Sequence, residues 1–577
     1  MAVVDGPRRD NAASLRAEAA ALVGGLQRHG VRRGDVVAWQ LPNWRESTVL
    51  FWACWQLGAI AAPLHHRSGE REVTARVAAL RPRVTFAAPG LPACAVRGAF
   101  EVRGDGGYDD LLTGPTAVDP TTARGASLES DARAAHDANA GTPRTSDELV
   151  GDGWPSVGGG PTEPYDPAAV LFTAGSTGEP KGVIHTHRSL VHKARTMPRV
   201  HGLTADDAVL MPAPLAHVSG LLNGVLVPVA AAMKVVLMER WDPATALDLI
   251  AAEQVSFMVG PPTFFLDLLD APSFSPERVA SLRLVSCGGT GVTASFVEDA
   301  SRRLGARVKR SYGSTEAPTV TTWHDGDQPD RAATTDGRPV ADVELQVVAP
   351  GTGAPLPAGR TGELRVRGTA VCAGYLDRSE PERASRPVRP DHLVRPDRPV
   401  ESEPPAPADR PSRAGDPVPA GHSVRGDRSA ADRDGTWAAT GLRYASSTRD
   451  GWFATGDLAV IDEEGWLTVM GRVDDVIIRG GENIAPTEVE AVLEAHPGVH
   501  RAVAVGLPDE RLGQVVAAAV VADPAFDLDA CRAWFAAHGV ARHKTPTRLL
   551  HLGELPILAS GKPDRRAVRA RFYEGGA

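Results

Sequence analysis

Residues 171–182 read LFTAGSTGEPKG. An apolar lead-in precedes three glycines, Gly175, Gly178 and Gly182, which are interleaved with Thr173, Ser176 and Thr177 and joined by Lys181. Glycine lets the backbone turn its N–H groups toward an anion, the hydroxyls add donors, and the lysine supplies a mobile positive charge. Together they suit a polyphosphate. The stretch is not a Walker A loop, because Lys181 is preceded by Pro180 and followed by Gly182 rather than by Ser or Thr. Taken alone, it also fits a flexible Gly/Ser turn.

Upstream, Leu15, Ala19, Leu22, Val23 and Leu26 recur at the spacing of one helical face over residues 14–27, with Gly30 placed to end the helix. A strand-like run at 36–41 follows, then helix 46–57, strand 59–64, helix 70–80 and strand 84–88. This alternation predicts an α/β fold of layered sheets and helices with much parallel sheet. Residues 114–164, rich in Ala, Gly, Asp, Ser and Thr, read as an irregular linker. Residues 378–450 alternate proline with charge, as in RPVRP at 386–390 and PPAPADRP at 404–411. Such a composition buries too little apolar surface to offset the entropy of ordering, which predicts a disordered insert. Beyond Gly471 the pattern becomes helix 487–495, strands 501–506 and 515–521, helix 528–538 and strand 548–552. The expected organisation is a large domain over residues 1–470 and a small α+β domain over 471–577.

A length of 577 residues is too great for one compact core, in keeping with two domains. No apolar run approaches the ~20 residues of a membrane helix. The polar residues 1–10 lack the apolar core of a secretory signal, so a cytoplasmic address is expected. Five scattered cysteines form no CxxC pair, which argues against a zinc site or a disulfide framework. A net charge of −9 disfavours a nucleic-acid partner. Any phosphate must be held locally.

Six further motifs follow the glycine-rich loop. They are SCGGTGV (286–292), YGSTE (312–316), GELRVRG (362–368), WFATGD (452–457), GRVDDVIIRGGENIAPTEVE (471–490) and LPILASGK (555–562). In this order the chain resembles the adenylate-forming superfamily of acyl-CoA synthetases, peptide-synthetase adenylation domains and luciferases. The resemblance runs from about residue 12 to the end, apart from the two irregular stretches.

The resemblance implies an enzyme that converts a carboxylic acid to its acyl-AMP with ATP and passes the acyl group to coenzyme A. By the same resemblance the loop from Thr173 to Lys181 holds the β and γ phosphates, and Glu316, with Thr173, positions Mg2+. The turn of Gly288, Gly289 and Thr290 and the segment of Tyr312, Gly313, Ser314 and Thr315 enclose the adenine. Asp457 and Arg472 reach the ribose. Lys562 bridges the carboxylate and the α-phosphate during adenylation, and His217, in PLAHVSG, lies beside the acyl pocket. Asp474 matches the hinge about which the small domain rotates, bringing Gly480 and Gly481 beside a pantetheine tunnel.

The stretches QLPNWRE (40–46), GEREV (69–73) and DERLG (509–513), together with CGGTGV and YGSTE, resemble the branch of short- and medium-chain fatty acyl-CoA and cyclohexanecarboxylate-CoA ligases. A medium-chain or alicyclic acid is the expected substrate. Three departures accompany the resemblance. The chain starts later than its relatives, Ala174 and Ser176 replace Ser and Thr, and the insert falls just upstream of WFATGD, where an inert surface loop is expected. Two other readings stay open. One is an acyl-AMP ligase or an enzyme that loads a separate carrier protein, a carrier domain on this chain being unexpected after Lys562. The other is an inactive sensor of nucleotide or acyl ligand, which the presence of Lys181, Glu316, Asp457, Arg472 and Lys562 disfavours.

Overall fold

The computed structural model describes residues 1–104, 107–113, 162–173, 181–289, 291–377, 435–436, 443–479, 482–509, 511–558 and 563–574. Among these residues the strands assemble into two nine-stranded sheets and two five-stranded sheets. The predicted linker, through residue 161, and most of the predicted insert lie outside the described residues.

The first sheet has a parallel centre in which Arg307–Tyr312, Leu284–Gly288, Phe257–Gly260, Ala208–Met211 and Lys234–Leu237 lie side by side. In the second, Pro167–Thr173, Ile60–Leu64, Val36–Gln40 and Val84–Ala87 run parallel, and Lys181–Thr186 pairs antiparallel with Pro167–Thr173. These central strands are buried on both faces, as the near-continuous apolar runs VVAW and VVL require. The helix Ala12–Arg28 begins where the Asn11 side chain accepts from the Ala13 and Ser14 amides, both at 2.9 Å. Its apolar face of Leu15, Ala19, Leu22 and Leu26 is fully buried. The helix Arg45–Leu57 ends at Gly58 with φ 71°, a left-handed conformation that glycine adopts without strain.

The N-terminal ten residues depart from their reading as a polar lead. They form a hairpin, Ala2–Asp5 with Arg8–Asn11, and Ala2–Asp5 extends the first sheet beside Lys234–Leu237. Val3 and Val4, at 0% and 1% exposure, and the half-buried Met1 provide the apolar anchorage. The rest is charge: buried Arg45 meets Asp10 at 2.7 Å and donates to Glu18 at 3.1 Å, while Arg103 joins Glu46 at 2.8 Å and also pairs with Asp5. A hairpin held by residues far along the chain leaves little local signature.

The predicted insert also ends earlier than residue 450. Arg443–Ser446 pairs with Gly374–Leu376, and Thr448–Arg449 pairs with Trp452–Ile461. The residues RYAS that follow the proline-rich run find a partner strand, so that tract is ordered by pairing rather than by its own burial.

A third, antiparallel sheet carries Glu344–Val348, Gly362–Arg367, Trp452–Ile461 and Leu467–Arg472. The last of these leads through a short 3-10 turn, Val473–Asp475, into the fourth sheet, so Asp474 falls in the turn between the two. The fourth sheet is built on the long pair Val499–Asp509 and Gly513–Ala522, covered by the helices Pro486–Glu494 and Leu528–Ala537. Each predicted element beyond Gly471 is present, within a few residues of its expected ends. The three sheets up to Arg472 make up the large N-terminal part, and the fourth sheet with its helices makes up the small C-terminal part.

Within the small part, the Glu494 carboxylate accepts from the Ala502 amide at 3.1 Å. Burial, and to a lesser degree Glu490, pushes its pKa from 4.5 up to about 7. Because the folded value is the higher one, stability is lost as pH rises from 4.5 through about 7. Glu494→Gln keeps an oxygen for Ala502 and removes the charge. It is expected to stabilise the fold by on the order of 1 kcal/mol at pH 8 and by nothing at pH 4.5, read from urea unfolding at the two pH values.

Candidate active site

Strand order places Thr173, Gly288 and Tyr312 at the carboxyl ends of strands in the two large sheets, where α/β proteins hold ligands. Leu284–Gly288 and Arg307–Tyr312 are neighbours, with Gly288 opposite Ser311. Gly288 has no room for a side chain, since a Cβ there would meet the Ser311 carbonyl oxygen at 2.2 Å. Gly289, at φ 85°, turns the chain away from the strand end. The next residue, Thr290, lies outside the described residues, as do Gly175, Ser176, Thr177, Gly178, Gly480, Gly481 and Lys562. On the second sheet Thr173 ends one strand and Lys181 begins the next, directly opposite it. The glycine-rich loop is therefore the connection of a hairpin.

Two constellations emerge. In the first, the exposed Lys181 ammonium lies 5.4 Å from the centre of the Tyr375 ring, and the Tyr375 hydroxyl donates to Glu316 Oε1 at 3.1 Å. Burial, with Glu316 adding to it, raises the Tyr375 pKa, so the phenol keeps its proton and acts as a donor. The backbone of Glu316 is held as well, because its carbonyl accepts from the Cys372 amide at 2.7 Å. His185 fixes the preceding residue by donating from Nε2 to the Thr315 carbonyl at 2.8 Å. Tyr375 was not singled out in the sequence. The run CAGYLDR shortly after GELRVRG is the only signal it leaves.

In the second, the Tyr312 hydroxyl donates to Asp457, and Arg472 Nε meets the other Asp457 oxygen at 3.1 Å. Asp457 and Arg472 are cross-strand partners, so the antiparallel register sets them side by side. Arg472 also donates to the Thr455 carbonyl at 2.9 Å. Desolvation, reinforced by Asp457, raises the Tyr312 pKa well above the usual phenol value. The loop between Tyr312 and Glu316 is tight: a Cβ at Gly313 would lie 2.3 Å from the Thr319 amide nitrogen, and the Ser314 amide donates to the Ala317 carbonyl at 3.0 Å.

His217 stands apart from both. Its Nδ1 accepts from the Ser219 amide at 3.2 Å and starts the short helix Val218–Gly220, which continues as a π-helical segment, Leu221–Leu226. Such π segments are frequent at functional sites. Gly220 is obligatory here, as a Cβ would meet the Pro214 carbonyl oxygen at 2.0 Å.

The turn two residues before His217 is tied to Asn43, which the sequence shows only as part of QLPNWRE. Its side chain is 2% exposed and makes four hydrogen bonds. Nδ2 donates to the carbonyls of Met211, Ala213 and Met238 at 3.1, 2.9 and 3.1 Å, and Oδ1 accepts from the Leu215 amide at 2.9 Å. While the Met211 carbonyl keeps the Met238 amide, Asn43→Ala strands the Leu215 amide and the carbonyls of Ala213 and Met238 in the interior. It is expected to cost on the order of 3 kcal/mol, measured by urea unfolding; a loss below about 1 kcal/mol contradicts the assigned role.

Residues 1–376 match the family model of the AMP-binding enzyme, and residues 488–562 match that of the AMP-binding enzyme C-terminal domain. The chain is 29% identical over 546 residues to the medium-chain fatty-acid–CoA ligase of Escherichia coli (strain K12), covering 94% of this chain and 82% of that protein. It is 29% identical over 564 residues to a feruloyl-CoA synthase of Amycolatopsis sp, covering 97% and 93%. In fold it is similar to ATP-bound MatB from Rhodopseudomonas palustris, with a TM-score of 0.74 at 24% identity, over 99% of this chain and 95% of that one. With a family model matching well over half its length, the chain belongs to the AMP-binding enzymes.

Proposed function

We propose that this protein is an AMP-forming acid–thiol ligase that joins a medium-chain or alicyclic carboxylic acid to coenzyme A at the expense of ATP. The observation that carries the reading is that Lys181, Tyr375 and Glu316 form one linked set of polar side chains and Tyr312, Asp457 and Arg472 another on one enzyme fold. The curated relatives named above, which act on acids and coenzyme A, support it.

The chemistry needs two displacements. First, a carboxylate oxygen attacks the α-phosphorus and the bond to pyrophosphate breaks. Then the thiol sulfur, its proton lost to solvent, attacks the acyl carbon, and AMP leaves with the oxygen it gained. In this reading Lys181 and the hairpin loop, with Thr173, Gly175, Ser176, Thr177 and Gly178, hold the departing phosphates. Gly288, Gly289, Thr290 and the segment Tyr312, Gly313, Ser314 and Thr315 enclose the adenine. Asp457, held in place by Tyr312 and Arg472, accepts from the ribose hydroxyls.

Mg2+ fits Glu316. A carboxylate has about four acceptor sites, so the Tyr375 bond leaves Glu316 able to hold the ion, and Thr173 would be the second residue to do so. The ion when bound neutralises charge on the phosphates. His217 lies beside the acid, and Lys562 neutralises the oxygen developing at the α-phosphate. Because thiol and Lys562 approach one adenylate, rotation at Asp474 exchanges Lys562 for Gly480 and Gly481 between the two steps. A need for ATP and coenzyme A agrees with a cytoplasmic address.

The test is acid-dependent release of pyrophosphate across short, medium, long, alicyclic and aromatic carboxylates, with and without coenzyme A. Turnover that requires coenzyme A and yields an acyl-CoA supports the reading. Release that coenzyme A neither accelerates nor captures moves the acceptor to a carrier-protein thiol or ends the reaction at acyl-AMP. ATP binding with no release on any acid overturns the ligase in favour of a sensor. Within the active enzyme, Lys562→Ala is expected to slow acyl-AMP formation by ~100- to 1,000-fold while sparing thioester formation from supplied acyl-AMP. Equal losses in both steps contradict the exchange.

A further inference from the structure

Lys181 and Glu316 are opposite in charge, yet among the described residues they form no ion pair. Each meets Tyr375 instead. The Lys181 ammonium lies 5.4 Å from the ring centre, and the ring's hydroxyl donates to Glu316 Oε1 at 3.1 Å. No other donor among the described residues reaches that carboxylate.

Strand pairing dictates this meeting. Gly374–Leu376 runs antiparallel to Lys181–Thr186 with Tyr375 opposite Val183, and Pro167–Thr173 lies on the other edge of the same strand with Thr173 opposite Lys181. Opposed residues, and residues two apart along a strand, share one face of a sheet. Thr173, Lys181 and Tyr375 therefore stand on one face, with Tyr375 the diagonal neighbour of Lys181, a spacing that aromatic and long side chains bridge. The Ala373 amide donates to the Ile184 carbonyl at 2.9 Å, which fixes the strand that carries the ring. Glu316 is fixed separately, through the Cys372 amide on its own carbonyl and His185 on that of Thr315. An ammonium and a carboxylate left facing each other pair up, and a triphosphate and its cation must then part them before either gains a new partner. Burial keeps the phenol neutral, so the ring separates the two charges without adding a third.

We infer that Tyr375 is a positioning residue for nucleotide binding: its ring keeps Lys181 apart from Glu316 and so available to phosphate, and its hydroxyl holds one Glu316 oxygen and leaves the other for Mg2+. The inference rests on the ligase reading and assigns the readiness of its empty nucleotide site to one side chain.

The experiment measures the Kd of ATP by titration calorimetry on the full chain, in Mg2+ and in EDTA. Tyr375→Phe keeps the ring and loses the hydroxyl; the tightening that Mg2+ brings is expected to shrink by ~3- to 10-fold, the range of one hydrogen bond, with the value in EDTA unchanged. Tyr375→Leu removes the ring as well, and ATP in EDTA is expected to bind ~3- to 10-fold more weakly, because a cation–π contact is lost and the ion pair forms. Adding Glu316→Gln to Tyr375→Leu removes the competing carboxylate and is expected to tighten ATP in EDTA by more than Glu316→Gln does with Tyr375 in place. A ring that only fills space gives no such excess. A Tyr375→Phe protein with the full Mg2+ gain, or equal effects of Glu316→Gln in the two backgrounds, overturns the inference. Should Tyr375→Leu fail to fold, Tyr375→Phe in Mg2+ and in EDTA decides. If the wild-type chain binds no ATP, the ligase reading falls and takes this inference with it; ATP binding without these responses sinks the inference alone.

Discussion

The carboxylate of Asp457 joins three parts of the chain. It sits on the antiparallel sheet, accepts a proton donor from Tyr312 at the end of a parallel strand, and pairs with Arg472 on the last strand before the turn at Asp474. A carboxylate taken out of water is stable only if paired and hydrogen-bonded. Both Asp457 oxygens are engaged, so satisfying this one group fixes the relation of the first sheet, the third sheet and the start of the small C-terminal part. A carboxylate oriented in this way can still accept a further donor.

The lysines show how placement divides their work. Lys181 is exposed at the mouth of a hairpin loop, where a solvated ammonium on a long stem can follow a phosphate. Lys193 and Lys309 are buried, and each is bound to a backbone carbonyl, Thr319 at 3.0 Å and Trp323 at 2.7 Å. Desolvation lowers both to about 7, so neither holds its charge firmly near neutral pH. These two grip the stretch that follows YGSTE at either end, which keeps Tyr312 and Glu316 on a rigid base rather than on a loose connection.

Much of this architecture was legible from sequence because its signals are local. The helices at 12–28 and 45–57 and the strands between them follow the 3.6-residue spacing and the buried apolar runs of the α/β pattern, and Glu316, Tyr312, Asp457 and Arg472 follow from motifs met in order. The misses share one cause. Residues 2–11 form a hairpin because Arg45, Arg103 and the strand 234–237 hold them, and Arg443–Ser446 is a strand because Gly374–Leu376 pairs with it. Asn43 and Tyr375 act through partners far along the chain, at Met211 to Met238 and at Glu316. No window of neighbouring residues contains those partners.

The central claim is that an acid and ATP are joined through a carboxylate oxygen bonded to the α-phosphorus. The most direct measurement uses an acid with both carboxylate oxygens labelled with 18O, turned over with ATP and coenzyme A, followed by mass analysis of the products. The account predicts AMP that carries one heavy oxygen and pyrophosphate that carries none. Label in pyrophosphate or in inorganic phosphate, or AMP without label, would contradict it.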